Sequence, residues 1–463
     1  MSIPNTYTPR HVDHLRNVII QNFPQIRKDY IWFVSESDAI ASYYLSKWHS
    51  LNIDRDEVCK QKILDNIEHI LVYDMGAGTL DLTYLSIKKD SDSERTVNIE
   101  AKIGLNKAGN YLDYILATAL IETHPQFPRI LIESSVDANL MRLSGILKHF
   151  IKNFVKPLLF TDDLIICDDF NGEQILVGDQ NISFSDVEID LKKLREHHAV
   201  QEFINECTGR LLDNFFTIYN KEEGNVPIDT VVLSGRSVQF GDSSRGIEHS
   251  LMEAVYRWNN SSSDVYVIRI KGDDLKKIVV NGALSFATTY CGEGSSVKII
   301  NKNIYASYGL IYTKPDGRTT YVELLSPTTK PTKEPNLEFN STNGVFIYQY
   351  DTDIYRADGS TRGTKINLSG SPMAYFVQSY STDPAKDWDE ENRELISVMF
   401  EFSPRSVVVN PRIDLVQVPV RIVVNEHNEM VFHAGIITNE ASAPMVIDIQ
   451  DNESFRRSMW PYM

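Results

Sequence analysis

The chain is short of cysteine, of positive charge and of long apolar runs, and each shortage removes a class of function. Its four cysteines, Cys59, Cys167, Cys207 and Cys291, are scattered and form no C-x-x-C pair. Neither a zinc site nor a disulfide framework is expected, and the thiols read as free and buried in a reducing compartment. Acidic residues number 63 against 46 Lys and Arg, a formal net charge of −17, which argues against nucleic acid or an anionic membrane as a partner. No apolar run reaches spanning length, and the opening MSIPNTYTPRHVDHLR lacks the basic-then-apolar layout of a secretory leader. A cytoplasmic protein is expected. Its 463 residues suffice for more than one domain, and 42% hydrophobic with 24% charged residues is the balance of an ordinary folded chain.

What the chain has is the stretch Ile70–Ile87, ILVYDMGAGTLDLTYLSI. The apolar run Ile70–Tyr73 ends on Asp74, the turn Gly76-Ala77-Gly78-Thr79 follows, and Leu80-Asp81-Leu82-Thr83 then alternates. Two such runs about a glycine turn predict a β-hairpin. Gly76 and Gly78 let the backbone come close to a ligand. The N–H groups of a tight turn form an anion nest, and Thr79 adds a hydroxyl. Asp74 and Asp81 bracket the turn. Donors for phosphate oxygens beside acids for a divalent ion or a positioned water suit phosphoryl chemistry. An ordinary glycine hairpin with two solvated aspartates has the same residues, so the turn alone does not separate the two readings.

Three more stretches stand in order about the turn. Val34–Leu45 (VSESDAIASYYL) precedes it, and Val231–Val238 (VVLSGRSV) and Ile278–Ala287 (IVVNGALSFA) follow. With DMGAGTLD they resemble the connect, second-phosphate, adenosine and closing-helix segments of the actin/sugar-kinase/heat-shock ATPase superfamily, most of all the DnaK-type seventy-kilodalton heat-shock chaperones. The likeness implies an α/β actin-like ATPase (ribonuclease H-like) partial fold over residues 1–300, an all-β sandwich like a chaperone substrate-binding domain over residues 301–463, and ATP with Mg2+ as cofactors. Carried over by position, it implies that Glu36 and Asp74 orient water or a metal-bound water. Gly76, Ala77, Gly78 and Thr79 would hold the β- and γ-phosphates, Asp74 and Asp81 would serve the metal, and Gly235, Arg236 and Ser237 would line the adenosine pocket.

The departures from the family are specific. Ser37 stands where the family has proline, Ser234 for a first glycine, Arg236 for a hydroxyl, and Ala108-Gly109 for a glycine pair. Asn110-Tyr111 replaces acids, with Asp113 keeping one. An amphipathic helix is expected over Leu140–Phe160, but it holds no glutamate of the kind the family uses to grip adenosine; Lys148 or Lys152 could still reach a nucleotide, while Arg142, Lys148, Lys152 and Lys156 fit a solvated basic face. Arg236 would stack on a base, pair with a phosphate or crowd the pocket. Read without the likeness, Glu36 is a first-turn acid that suits the helix dipole.

Elsewhere the patterns predict a helix over Thr8–Phe23, a buried strand at Ile31–Val34, a surface insertion over Lys47–His69, a strand at Thr96–Ile103 and a turn and helix over Gly104–Leu120. A strand hairpin over Ile165–Phe184, a mainly helical Ser185–Tyr219, a strand at Val265–Ile270 and a helix over Leu275–Tyr290 follow. Beyond Gly292, strand-like runs between turn residues argue for a sandwich: Tyr305–Tyr312, Tyr321–Leu325, Val345–Tyr350, Ile396–Phe402, Val418–Val424 and Met430–Ile436. Thr382–Asn392 reads as an acidic surface loop.

The reading is a DnaK-like chaperone-type subunit, with ATP binding and hydrolysis coupled to a client or partner. A peptide or protein client would bind the β domain. The family's first phosphate loop and helical lid have no counterpart in the sequence. A second polypeptide supplying that loop would dock on Ile31–Val34 and Leu275–Tyr290, or self-association would cover the same surface. A non-catalytic scaffold with a decayed nucleotide site is the alternative, favoured by Ala77, Arg236 and the glutamate-free helix. A polymer-forming actin-like protein is a third reading, against which the β domain argues.

Overall fold

Ile70–Met75 are six consecutive buried residues, the mark of a strand covered on both faces. A computed structural model describes residues 1–7, 9–47, 67–90, 95–124, 132–133, 142–143, 150–166, 174–177, 180–183, 188–219, 227–238, 245–260, 265–270, 274–291, 297–300, 305–313, 318–327, 337–341, 344–345, 374–390, 395–402, 416–417, 420–424 and 430–434. Its first part runs β1 (Ser2–Ile3), α1 (Pro9–Asn22), β2 (Val34–Ser35), α2 (Glu36–Lys47), β3 (Ile67–Met75), β4 (Leu80–Lys89), β5 (Arg95–Leu105) and α3 (Gly109–Thr123). Then come α4 (Leu191–Glu196), α5 (His198–Cys207), α6 (Gly209–Tyr219), β6 (Thr230–Ser234), α7 (Ile247–Trp258), β7 (Tyr266–Arg269), α8 (Asp274–Cys291) and β8 (Val297–Ile300).

Six of these strands form one mixed sheet in the order β7-β6-β3-β4-β5-β8. β3, β4 and β5 form an antiparallel meander, whereas β6 lies parallel to both β3 and β7, and β8 parallel to β5. The period of two in β3 sorts its side chains between two cores. Ile70 and Val72 pack with Ile40 and Tyr44 of α2 and Ile278 of α8. Leu71, Tyr73 and Met75 join the larger cluster containing Leu112, Phe203, Phe216 and Leu251, from α3, α5, α6 and α7. Helices on both faces of a mixed sheet make this part α/β.

A second group of strands is antiparallel. β9 (Ser307–Thr313), β10 (Thr319–Leu325), β12 (Ala374–Ser379) and β13 (Ile396–Phe402) form a four-stranded sheet in the order β10-β9-β12-β13. β11 (Leu337–Ser341), β14 (Val420–Val424) and β15 (Met430–Ala434) form a three-stranded sheet in the order β11-β14-β15. Tyr308, Leu310, Leu325 and Phe376 of the four-stranded sheet belong to the same buried cluster as Leu71 and Tyr73. The two parts therefore share apolar core. Among the described residues no helix is long and apolar enough to cross a membrane.

Several sequence readings need correction. The strand expected at Ile31–Val34 is only Val34–Ser35, entered from a 3-10 turn over Lys28–Tyr30. Its edge is not bare, because β1 pairs with it in parallel and Ile31, Phe33 and Val34 are buried. Leu140–Phe160 is not one helix: Arg142–Leu143 pairs with Ile132–Glu133, and a π turn at Ile151–Val155 runs into Lys156–Leu158. The hairpin expected over Ile165–Phe184 is two pairings, Leu164–Ile166 with Glu188–Asp190 and Gln174–Val177 with Gln180–Ser183. Thr382–Asn392 contains the helix α9 (Pro384–Asp389), capped by the Asp383 carboxylate accepting from Lys386 N–H at 3.3 Å. The insertion from residue 48 to 66, Lys148 and Val345–Tyr350 beyond Val345 lie outside the described residues.

Candidate functional site

The β3–β4 register sets Asp74 directly opposite Asp81 at the turn end of the hairpin. The turn closes through Gly76 N–H donating to Thr79 O at 3.0 Å, and Ala77 and Gly78 are exposed. Glu36 is the first residue of α2, where the Ser35 hydroxyl accepts from Asp38 N–H at 3.2 Å and caps the helix. β6 brings Ser234 into register with Asp74, and the Ser234 hydroxyl donates to the Asp74 carboxylate. The chain then turns at Gly235 with φ of 86°, where a Cβ would lie 2.1 Å from Met75 O. Only glycine fits there. Ser237 returns to the hairpin, its N–H donating to Met75 O at 3.3 Å and its hydroxyl to Gly76 O at 3.0 Å. Arg236, between them, is exposed.

Glu36, Asp74 and Asp81 thus come from three elements of the α/β part, α2, β3 and β4, and act on one another electrostatically. Burial, then repulsion from Glu36, pushes the Asp74 carboxyl up to about 7, against the Ser234 hydrogen bond. Burial and then Asp74 push Asp81 well above the carboxylate range, although Asn5 N–H donates to it at 2.5 Å and the Thr79 hydroxyl at 3.1 Å. Burial alone raises Glu36. Desolvation and like charge act in the same direction, so the cluster favours a proton or an external cation.

The opposite side of the turn is held by α3. Gly109 N–H donates to Gly76 O at 3.1 Å and Asn110 N–H to Ala77 O at 2.7 Å. Behind it, Lys156 Nζ donates to Asp113 at 2.7 Å and to Gly109 O at 3.0 Å, both side chains being buried. Lys156 is therefore not on a solvated face, and Asp113 is committed to a lysine. Lys152 is exposed.

The acids are hard oxygen donors. Among the described residues no group of three or more His, Cys, Asp or Glu side chains is arranged to hold a metal by itself. Mg2+ keeps several waters and takes one or two carboxylates with substrate phosphates rather than an all-protein cage. Asp74 and Asp81 are the residues that would hold it. Sequence reasoning missed Asn5, Ser234 and Lys156. Only Ser234 had a signal, its place in the glycine-pair position beside Gly235. No protein-family model matches this chain, and the comparison with curated proteins finds no match.

Proposed function

We propose that the chain binds ATP with Mg2+ at the Gly76–Thr79 turn as a DnaK-like, chaperone-type subunit, hydrolysing it in concert with a client or partner segment on the antiparallel strands. One observation carries this reading: Glu36, Asp74 and Asp81 act on one another beneath a glycine turn whose tip is exposed, with no lysine or arginine paired to them among the described residues. Burying like charges costs folding free energy, and a cation with phosphates offsets that cost in the bound state. The parallel approach of β6 to the hairpin, ending on Gly235, supports an actin-like (ribonuclease H-like) origin for the sheet.

In this reading the ion, when bound, neutralises phosphate charge. Asp74 and Asp81 hold its waters, and Glu36 with Asp74 orients the attacking water. The Gly76-Ala77-Gly78-Thr79 turn takes the β- and γ-phosphates, with the Gly76 N–H holding the turn closed, and Gly235, Arg236 and Ser237 line the adenosine pocket. A second subunit, or a second copy, docks on α8, where Val280 is 68% and Leu284 is 64% exposed. Asp74→Asn and Thr79→Val are expected to abolish hydrolysis in the active assembly while circular dichroism stays unchanged. Unchanged turnover in both variants overturns the reading.

The alternative is an interaction scaffold with a decayed site. It is favoured by the engagement of the Thr79 hydroxyl and both Asp81 oxygens in hydrogen bonds within the protein. ATP binding without turnover in any assembly selects it.

A further inference from the structure

We propose that Asn5 is a positioning residue that fixes Glu36 relative to Asp81; the inference rests on the nucleotide-site reading above. β1 pairs Ser2 with Val34 and Ile3 with Ser35, so its partner strand leads straight into Glu36. Two residues beyond Ile3, Asn5 N–H donates to Asp81 Oδ1 at 2.5 Å. The Asn5 side chain extends the link. Its Nδ2 donates to Leu82 O and Ile103 O, each at 3.2 Å, and these two residues face each other across β4 and β5. Its Oδ1 accepts from the Ser37 hydroxyl at 3.1 Å, and Thr83 Oγ1 donates to Ser37 Oγ at 2.6 Å. Both amide hydrogens and the amide oxygen are used, so the rotamer is fixed. Ser37 and Thr83 are wholly buried.

The sequence makes room for this bracket at Gly104, which stands opposite Asp81 in the β4–β5 ladder. A Cβ there would approach Thr6 Cγ2 to 2.7 Å, Thr6 N to 2.9 Å and Asn5 C to 3.2 Å. The missing side chain is the slot in which Asn5 and Thr6 lie. The Gly76–Thr79 turn is held separately by Gly109, Asn110 and Ser237. Loss of Asn5 therefore loosens the acids without loosening the turn, which is the signature to test.

Three variants of the full chain approach the bracket independently: Asn5→Ala removes the side-chain bonds, Ser37→Ala the link to α2, and Gly104→Ala displaces the segment. Titration calorimetry with ATP is run with Mg2+ and with a chelator, beside amide hydrogen exchange. The expected result is at least a tenfold loss of affinity for ATP with Mg2+, a change under twofold without it, and exchange at least tenfold faster at both Ser37–Asp38 and Asp81–Thr83. Protection in Leu112–Ile121 should stay constant. Equal losses with and without Mg2+, or faster exchange on one side alone, overturn the proposal. Should Ser37→Ala alone fold, its calorimetry and exchange decide by the same criteria. If the wild-type chain binds no ATP in either condition, the nucleotide reading falls. Exchange then decides whether Asn5 joins α2 to β4.

Discussion

The chain buries acids in two ways. Asp38 and Asp113 each meet a lysine: Asp38 pairs with Lys102, which also donates to Ser35 Oγ at 3.2 Å, and Asp113 pairs with Lys156 at 2.7 Å. Asp74 and Asp81 meet each other and Glu36 instead, and their carboxyls are pushed upward. Both sets lie in the α/β part, within the same cores. Where an acid serves the fold, the sequence supplies its cation from another element, Lys102 from β5 or Lys156 from the segment behind α3. At the glycine turn no lysine or arginine is paired with the acids among the described residues, and in the proposed reading the ligand brings the cation. The difference separates paired from unneutralised acids where burial does not, since Asp38, Asp74, Asp81 and Asp113 are all less than 7% exposed.

The sharpest way to break that comparison is Lys156→Met. It leaves Asp113 buried without a partner, and removing one member of a buried pair costs about 3–5 kcal/mol. The loss should appear as a lower urea midpoint with an unchanged slope. Adding Asp113→Leu should recover most of it. If Lys156→Met cost less than about 1 kcal/mol, the pair would not be a structural one.

Asp74→Asn should do the reverse. In the fold the Asp74 carboxyl titrates at about 7, against an ordinary value of 3.8. Between those values the folded state binds more protons than the unfolded one. The stability this group contributes is therefore complete below pH 4 and lost as pH rises through about 7. An asparagine has nothing to lose over that range. The variant should exceed wild type at pH 8 by on the order of 2–4 kcal/mol, with the advantage shrinking towards pH 4. Asp113→Asn, by contrast, should destabilise at both pH values, because it takes the counter-charge from buried Lys156. Urea titrations of the two variants at pH 4 and pH 8 check the contrast.

Much of the site was legible in the sequence because its carriers are local. The apolar run into Asp74, the glycine turn, the first-turn acid Glu36 and the stretch Val231–Val238 about Gly235 each fit within a dozen residues. What was not legible depends on distance along the chain. Lys156 lies 43 residues from Asp113, and Asn5 lies 76 from Asp81; no periodicity announces either pairing. The reading of Leu140–Phe160 as one helix failed because a short strand pair and a π turn break the period of 3.6 that its apolar residues suggested. At Thr382–Asn392 the acidic composition outweighed the Asp383-Pro384 start signal, although Trp388 of that helix packs on Tyr375, with ring centroids 4.9 Å apart. The four-stranded sheet is apolar by alternation, but nothing in the alternation says that it shares the core of the first sheet.

The smallest effect tests whether pairing by itself, rather than burial, sets these energies. Arg269 at the end of β7 grips Glu248 in the first turn of α7: Nε donates to Oε1 at 2.9 Å and to Oε2 at 3.1 Å, with Nη2 also on Oε1. The geometry is two-pronged and favourable, and Glu248 also suits the positive end of its helix. The Arg269 side chain is nonetheless 40% exposed, so water competes for its charge and salt screens the pair. Arg269→Met should cost under about 1 kcal/mol in low salt and become indistinguishable from wild type near 1 M salt. Lys156→Met should keep its full cost in the same titration, because no counterion reaches Asp113. A loss at Arg269 as large as that at Lys156, or one insensitive to salt, would mean that good geometry alone makes a pair structural. The unneutralised acids at the turn would then need a different explanation from the one offered by burial.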